Sequence, residues 1–365
     1  MLRGEPAERR LIDRFLEALR ALPEVRAEVE PRRPTASALD KGYDAKVDLQ
    51  VAGKSVTLLI EAKKALYPRD VRQALWQLKN YGRRRPEDPN DREAVSLLIA
   101  DSISPGAKEM LRDELVGYYD SGGSLFLPAH GILLYIDRPP PAPLSKSMRT
   151  LFSGRRAQVL HTLLVRHENW FGVKELAEQA QVSAPTASQV LTELERFDWL
   201  ASRGQGPNKE RHLREPASLL DAWTKQLAAM RPPAVRRYYV PSMRTDQVVE
   251  QLDRIFAAHG AEYAVTHEAA GQRYAPFLSS VSQVRCRLLV GSAADHAMGE
   301  LRARGVTEGA NLALIDVESP GELLFRERVG EVWLASPVQV YLDLVRGEGR
   351  SKELAEHLRR ERIGF

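Results

Sequence analysis

Asp48, Glu61 and Lys63 are the residues of this chain whose types and spacing most readily do chemistry. In VTLLIEAK a two-residue pleat puts Glu61 and Lys63 on one face, and Leu58, Ile60 and Ala62 on the other. Gly53-Lys54 supplies a turn that folds this strand back on KVDLQV, so that Asp48 can approach Glu61. Two carboxylates and an amine converging on a sheet edge can chelate Mg²⁺ or Mn²⁺ and direct water at a phosphodiester. Lys63 would position that water or offset the charge developing on phosphorus. Gln77 and Tyr81 lie one turn apart on the next helix, beside the apolar stripe Val71, Ala74, Leu75 and Leu78. There they can orient the lysine or touch a DNA strand. Asp44 shares the parity of Asp48 and is its substitute, whereas Glu17 points away from the apolar stripe of its helix and is left unassigned.

A bare Glu-x-Lys triplet is also what an exposed pair on an edge strand looks like. The ordered set Asp, Glu-x-Lys, Gln-x-x-x-Tyr on strand, strand and helix is more specific. It resembles the core of PD-(D/E)xK nucleases, and EAKK followed by QLKNY is most similar to their RecB-type and type I restriction N-terminal branches. Val47 stands where that family often has proline. The resemblance implies a restriction-endonuclease-like α/β domain over residues 1–140 and adds the backbone carbonyl of Ala62 to Asp48 and Glu61 as metal ligands.

Around these residues, Arg9–Leu22 carries Ile12, Phe15, Leu16, Leu19 and Leu22 at helical spacing. Asp70–Tyr81 and Ala107–Asp120 read as helices, AVSLLIAD as a buried strand, and SLFLPAHGILLYI as a strand pair. DRPPPAPLSKS (Asp137–Ser147) reads as a stiff extended spacer, because consecutive prolines continue neither helix nor sheet. This sets an expected linker over residues 141–154. MRPPAVRR (Met230–Arg237) marks a second break. The expected fold class is multidomain α/β, with a winged helix-turn-helix at 155–230 and a C-terminal α/β domain at 238–365.

The middle segment, GVKELAEQAQVSAPTASQVLTELERFDWL, reads as two short helices joined by a tight turn. Ser183 caps the second, whose inner stripe is Ala187, Val190, Leu191 and Leu194. Pro185, Ser188, Gln189, Thr192 and Arg196 then face outward. WLASR and ERHL follow as a hairpin with the basic tip GQGPNK, and Arg155–Arg166 supplies an earlier helix. The arrangement resembles the winged helix of MarR-like regulators, in which the outward helix enters the major groove. Gln189 can read adenine edges, Ser188 and Thr192 can contact bases or phosphates, and Arg203, Lys209 and Arg211 can neutralise phosphates. Against this stands the use of winged helices as protein-binding modules, since the helix itself is poor in positive charge.

Residues 240–365 alternate helices with strands, and YAVTHEAAGQRYAPF and VWLASPVQVYLDLVRGEGRSKELAEHL resemble the C-terminal half of AbiEi-like type IV abortive-infection antitoxins. The letters LVGSAAD invite comparison with the Gly-Ser motif of nucleotidyltransferases, but those enzymes need Asp-x-Asp on the following strand, where Asp316 stands alone. A turn using Gly291 with Ser292 as a cap explains the same letters. His161, His167, His212, His259, His267 and His296 lack ligand spacing with an acid on one face and read as solvated or core histidines.

At 365 residues, 43% hydrophobic and 28% charged, the chain has material for two or three ordinary globular cores. Its net charge of +4 is small, so local basic clusters matter more than the total. The single cysteine, Cys286, excludes an internal disulfide and a Cys-based zinc site and fits a reducing cytoplasm. No apolar run reaches a membrane span, and the polar start MLRGEPAERR is unlike a secretory signal. The expected function is a DNA-binding protein with a Mg²⁺- or Mn²⁺-dependent endonuclease domain. The alternative is a regulator or antitoxin-like repressor with a cognate toxin, its nuclease-like domain inactive. Duplex DNA is the partner in both, with no membrane partner.

Overall fold

A computed structural model describes residues 6–29, 43–84, 94–241 and 245–365; the side chains of 6, 7, 77–84, 143, 245 and 246 lie outside the description. The chain is mixed α/β and divides into two compact units, residues 1–148 with 193–198, and residues 149–192 with 199–365.

The first unit runs α1 (Pro6–Arg20), β1 (Val25–Val29), β2 (Ala45–Val51), β3 (Lys54–Leu66), α2 (Pro68–Arg84), β4 (Val95–Ile103), α3 (Pro105–Asp113), β5 (Gly117–Asp120), β6 (Leu125–Ala129) and β7 (Ile132–Ile136). Its seven strands pair in chain order. The β1–β2–β3 and β5–β6–β7 steps are antiparallel, whereas β3, β4 and β5 are parallel neighbours joined through α2 and α3. Such parallel steps need a crossover, which is what a helix provides. One face of the sheet buries Val47, Leu49, Leu58, Ile60 and Ile99 against Phe15 and Leu19 of α1. The opposite face buries Leu98, Ala100 and Tyr118 against Val71 and Ala74 of α2 and Leu111 of α3. Each such aliphatic side chain contributes about 1.5–3 kcal/mol by leaving water. A buried ion pair, Lys108 to Asp120 at 2.7 Å, ties α3 to the turn between β5 and β6, and Ser124 accepts from the same amine at 2.6 Å.

The expected helix over Ala107–Asp120 ends early. Leu115 adopts φ +52°, which breaks the helix, and Gly117–Asp120 joins the sheet between β4 and β6. The expected spacer is also shorter than its prolines suggest. Residues 137–141 belong to neither helix nor strand, and α4 (Ala142–Leu151) begins at once, with Ser145 donating its N–H to the Pro141 carbonyl.

The second unit begins with α5 (Gly154–Val165), β8 (Trp170–Phe171), α6 (Val173–Gln179), α7 (Ala184–Arg196), β9 (Leu200–Arg203) and β10 (Glu210–Leu213). The three short strands order as β8-β10-β9. Gly204 (φ +72°) opens the β9–β10 loop, where an added Cβ would come within 2.4 Å of the Asn208 carbonyl oxygen. After α8 (Pro216–Ala229) come β11 (Val235–Tyr239), α9 (Thr245–Ala258), β12 (Tyr263–Thr266), α10 (His267–Tyr274), β13 (Val284–Leu289), α11 (Ser292–Glu300) and β14 (Arg304–Gly305). β15 (Leu312–Val317), β16 (Glu327–Val329), β17 (Val332–Leu334), α12 (Pro337–Leu344) and α13 (Ser351–Leu358) complete the unit. Its large sheet orders as β14-β11-β15-β13-β12-β17-β16. Because β11 is part of that sheet, the Met230–Arg237 break ends at Val235 rather than at Arg237. The segments on either side of it pack as one unit: Gln158 of α5 lies where a Cβ on Gly321 would come within 2.5 Å of it, and His161 of α5 meets Ser336 at 2.5 Å.

Candidate functional site

The β2–β3 hairpin decides which acid stands beside Glu61. Its turn is Ala52-Gly53, both at positive φ (+48° and +80°), one position earlier than Gly53-Lys54. Two such residues make the tight hairpin turn whose twist suits the flanking strands. Counting out from Val51 opposite Lys54, Asp48 falls opposite Thr57 and Ala45 opposite Ile60. The ladder ends at Ala45; the Asp44 N–H turns to the Ile60 carbonyl at 2.7 Å, and the Asp44 carboxylate reaches the Ala62 N–H, so Asp44 is the acid that comes beside the Glu61–Lys63 segment. Asp48 therefore does not approach Glu61. It lies about four residues, or roughly 13 Å, down the strand, where Thr57 Oγ1 donates to its carboxylate at 2.8 Å.

Glu61 and Lys63 project from the sheet face opposite α1. The alternating residues Ala45, Ile60 and Ala62 are buried on the α1 side. Lys63 Nζ meets Glu61 Oε1 at 2.7 Å, with side-chain exposures of 46% and 16%. Asp44 Oδ2 accepts the Ala62 N–H at 2.8 Å. In an extended strand a residue's N–H and C=O point the same way, so the Ala62 carbonyl shares the edge on which the Asp44 carboxylate sits. Partial burial opposes the charge on Lys63, yet its hydrogen bond to Glu61 and the charges of Glu61, Asp44 and Glu8 outweigh that and raise its pKa. Glu8 of α1 is a contributor that helical periodicity alone did not single out. Gln77 and Tyr81 lie on α2, but their side chains fall outside the described residues.

This donor set is two carboxylates and a strand-edge carbonyl, and it suits a hard divalent cation that keeps several waters or takes substrate oxygens. Among the described residues no three or more His, Cys, Asp or Glu side chains gather as a metal site. One or two protein carboxylates are nonetheless an ordinary complement for Mg²⁺.

A second polar surface lies on α7. Gln189 and Thr192 are exposed and Ser188 is half-buried. Thr192 Oγ1 donates back to the Ser188 carbonyl at 2.8 Å. Gln189 Oε1 accepts from Arg156 Nη2 of α5 at 3.0 Å, a partner the sequence reading missed. In the hairpin, Arg203 lies 4.3 Å over the Trp170 ring and pairs with Glu210 at 2.6 Å. Lys209 is half-buried beside the tip. Arg211 is not on the wing surface. It occupies the central strand, between Phe171 and Ser202, shares the buried face with Leu213, and is 9% exposed.

A buried polar cluster lies in the interior of the second unit. Arg287 grips Asp343 through two hydrogen bonds of 2.6 and 3.0 Å, and Thr266 and Gln339 donate to the same carboxylate. Burial pushes Asp343 up, but Arg287 overrides it and holds the pKa down at about 2. Burial and the nearby Arg287 lower His161 to about 4. Burial likewise lowers His267, which opens α10 at φ +54°, to about 4. His259 instead pairs with Glu300 at 2.6 Å. At the Gly-Ser letters, Gly291 (φ +152°) precedes α11, while Asp316 is bound by Arg236 at 2.5 Å.

Among the described residues no helix is long and apolar enough to cross a membrane. Compared with known proteins, the chain matches no family model, no curated protein and no solved structure.

Proposed function

We propose that this protein is a DNA-binding enzyme that hydrolyses phosphodiester bonds with Mg²⁺ or Mn²⁺. The observation that carries the reading is the end of the β2–β3 hairpin, where the Asp44 carboxylate accepts the Ala62 N–H beside the Glu61–Lys63 ion pair. The order α1-β1-β2-β3-α2-β4 around that hairpin supports the restriction-endonuclease-like reading that the sequence resemblance implies. Asp44, Glu61 and the Ala62 carbonyl would hold the cation, which supplies Lewis-acid polarisation of the phosphate. Lys63 stays protonated, since its pKa is raised, so it acts as a charge that offsets the developing negative oxygen and not as a base. The α5-β8-α6-α7-β9-β10 module has the element order of a winged helix and would bring the site to duplex DNA through α7 and the Arg203–Lys209 hairpin.

The test is cleavage of supercoiled and linear duplex DNA in Mg²⁺ or Mn²⁺, with a chelator control and with Glu61→Gln. Cutting that needs the cation and disappears in Glu61→Gln supports the reading. Cutting that persists in Glu61→Gln sinks it, as does none by the wild-type protein.

A second reading is a DNA-binding regulator, antitoxin-like and paired with a toxin, in which the nuclease-like unit only clamps DNA. The Glu61–Lys63 ion pair favours it, because an acid already neutralised by its own amine has less need of a cation. Tight duplex binding without cleavage and without Mn²⁺ heat in calorimetry would select this reading.

A further inference from the structure

We propose that Arg156 and Gln189 form one reading unit that selects guanine over adenine in the major groove. The inference rests on the reading of α7 as a DNA-recognition helix. A glutamine on its own suits adenine, because its amide accepts from the N6 amino group and donates to N7. Here Arg156 Nη2 lies 3.0 Å from the Gln189 side-chain oxygen. A guanidinium only donates, so the atom facing it must be the carbonyl oxygen, which fixes the orientation of the amide. The Nε2 donors then point away from Arg156. One lone pair of the oxygen is used, and the cation beside it repels the amino hydrogens of adenine. What remains for the groove is the Nε2 donor edge of the amide, complementary to the O6 and N7 acceptors of guanine.

The surroundings hold this pair in place. Arg155 Nη1 donates to the Gln181 carbonyl at 3.1 Å, anchoring the start of α5 to the turn before α7. The Thr192 hydroxyl is spent on the Ser188 carbonyl, and the Arg203 guanidinium is occupied by Trp170 and Glu210. Gln189 is thus an exposed amide on the outward face of α7 whose orientation is set by its neighbour.

Selection from a random duplex library, using the full chain in chelator to prevent cutting, tests the proposal. Wild type is expected to enrich guanine at one position of its site. Arg156→Ala releases the amide and should shift that position toward adenine by roughly tenfold, while Gln189→Ala should flatten it. Arg156→Met, which keeps the aliphatic length, should repeat the Ala result and separates lost charge from lost packing. Adenine chosen by wild type, or a preference unchanged in both Arg156 variants, overturns the guanine assignment while leaving DNA binding intact. If wild type enriches no sequence and shows no salt-dependent binding to any duplex, the DNA reading fails along with the inference.

Discussion

Two carboxylate–cation clusters in this molecule have similar parts and opposite character. In the second unit, the Asp343 carboxylate receives two bonds from Arg287 and one each from Thr266 and Gln339, and the ion pair is 7% and 12% exposed. In the first unit, Glu61 and Lys63 make a single ion contact at 16% and 46% exposure, with the Asp44 carboxylate on the intervening Ala62 N–H. The closed cluster fills the acceptor capacity of its acid, so its chemistry is spent on holding β13 to α12. The open one engages its two acids with one amine and one backbone N–H, fewer bonds than the Asp343 carboxylate receives, which is what a metal or phosphate site needs. Burial alone does not distinguish a site from a strut; how completely the neighbours satisfy the carboxylate does.

The largest expected effect is on the closed side. Asp343→Ala leaves Arg287 buried without its partner and should cost about 3–5 kcal/mol, read by urea unfolding. An Asp343→Ala protein as stable as wild type would break the contrast at once.

On the open side, the corresponding changes should spare stability and remove activity. Asp44→Ala and Glu61→Ala should each lower cutting by about 10²–10³-fold, or about 3–4 kcal/mol of transition-state stabilisation, with stability changed by less than about 1 kcal/mol. Asp48→Ala, on the Thr57 side of the hairpin, should cut nearly as wild type. If Asp48→Ala is dead and Asp44→Ala active, the hairpin register is not the one that matters to catalysis. Lys63→Ala should slow turnover about 10²-fold while leaving Mn²⁺ heats unchanged, because its charge acts on the reaction and not on the metal.

pH sharpens the comparison. His161 and His267 are held neutral with pKa values near 4, whereas the unfolded chain binds their protons below about 6.5. Stability linked to them is therefore intact above pH 6.5. It falls as pH drops toward 4, by up to about 1.4 kcal/mol per pH unit for each histidine. His161→Gln should flatten that slope. Lys63 is shifted upward, so its contribution is complete below the ordinary lysine pKa and fades only as pH rises beyond it. The Lys63 contribution should thus be insensitive to pH between 5 and 8, and melting curves over that range read both statements together.

The smallest effects belong to the hairpin. Lys209→Ala should reduce the log K versus log salt slope of DNA binding by about 0.9 in magnitude. Arg211→Ala should act instead through stability, since its side chain is inside the small sheet.

Local physics made much of this legible from the amino-acid order. Period-two alternation put Glu61 and Lys63 on one face of β3, and period 3.6 gave α7 its inner stripe of Ala187, Val190, Leu191 and Leu194, all buried. These patterns need only neighbours along the chain, so they survive without tertiary knowledge. The partner of Glu61 was nearly legible too: counting out from a two-residue turn at Ala52-Gly53 gives Asp44, and placing the turn one residue later conceals it. Other features came only with the closed fold. Arg211 is buried because the two-residue strand Trp170–Phe171 pairs on its far side, and so short a strand carries no periodic signal. Arg156 reaches Gln189 across 33 residues, and His161 reaches Ser336 across 175. Residue type states what such groups can bond. Which of them meet is set by how α5 packs, and no local pattern encodes that distance.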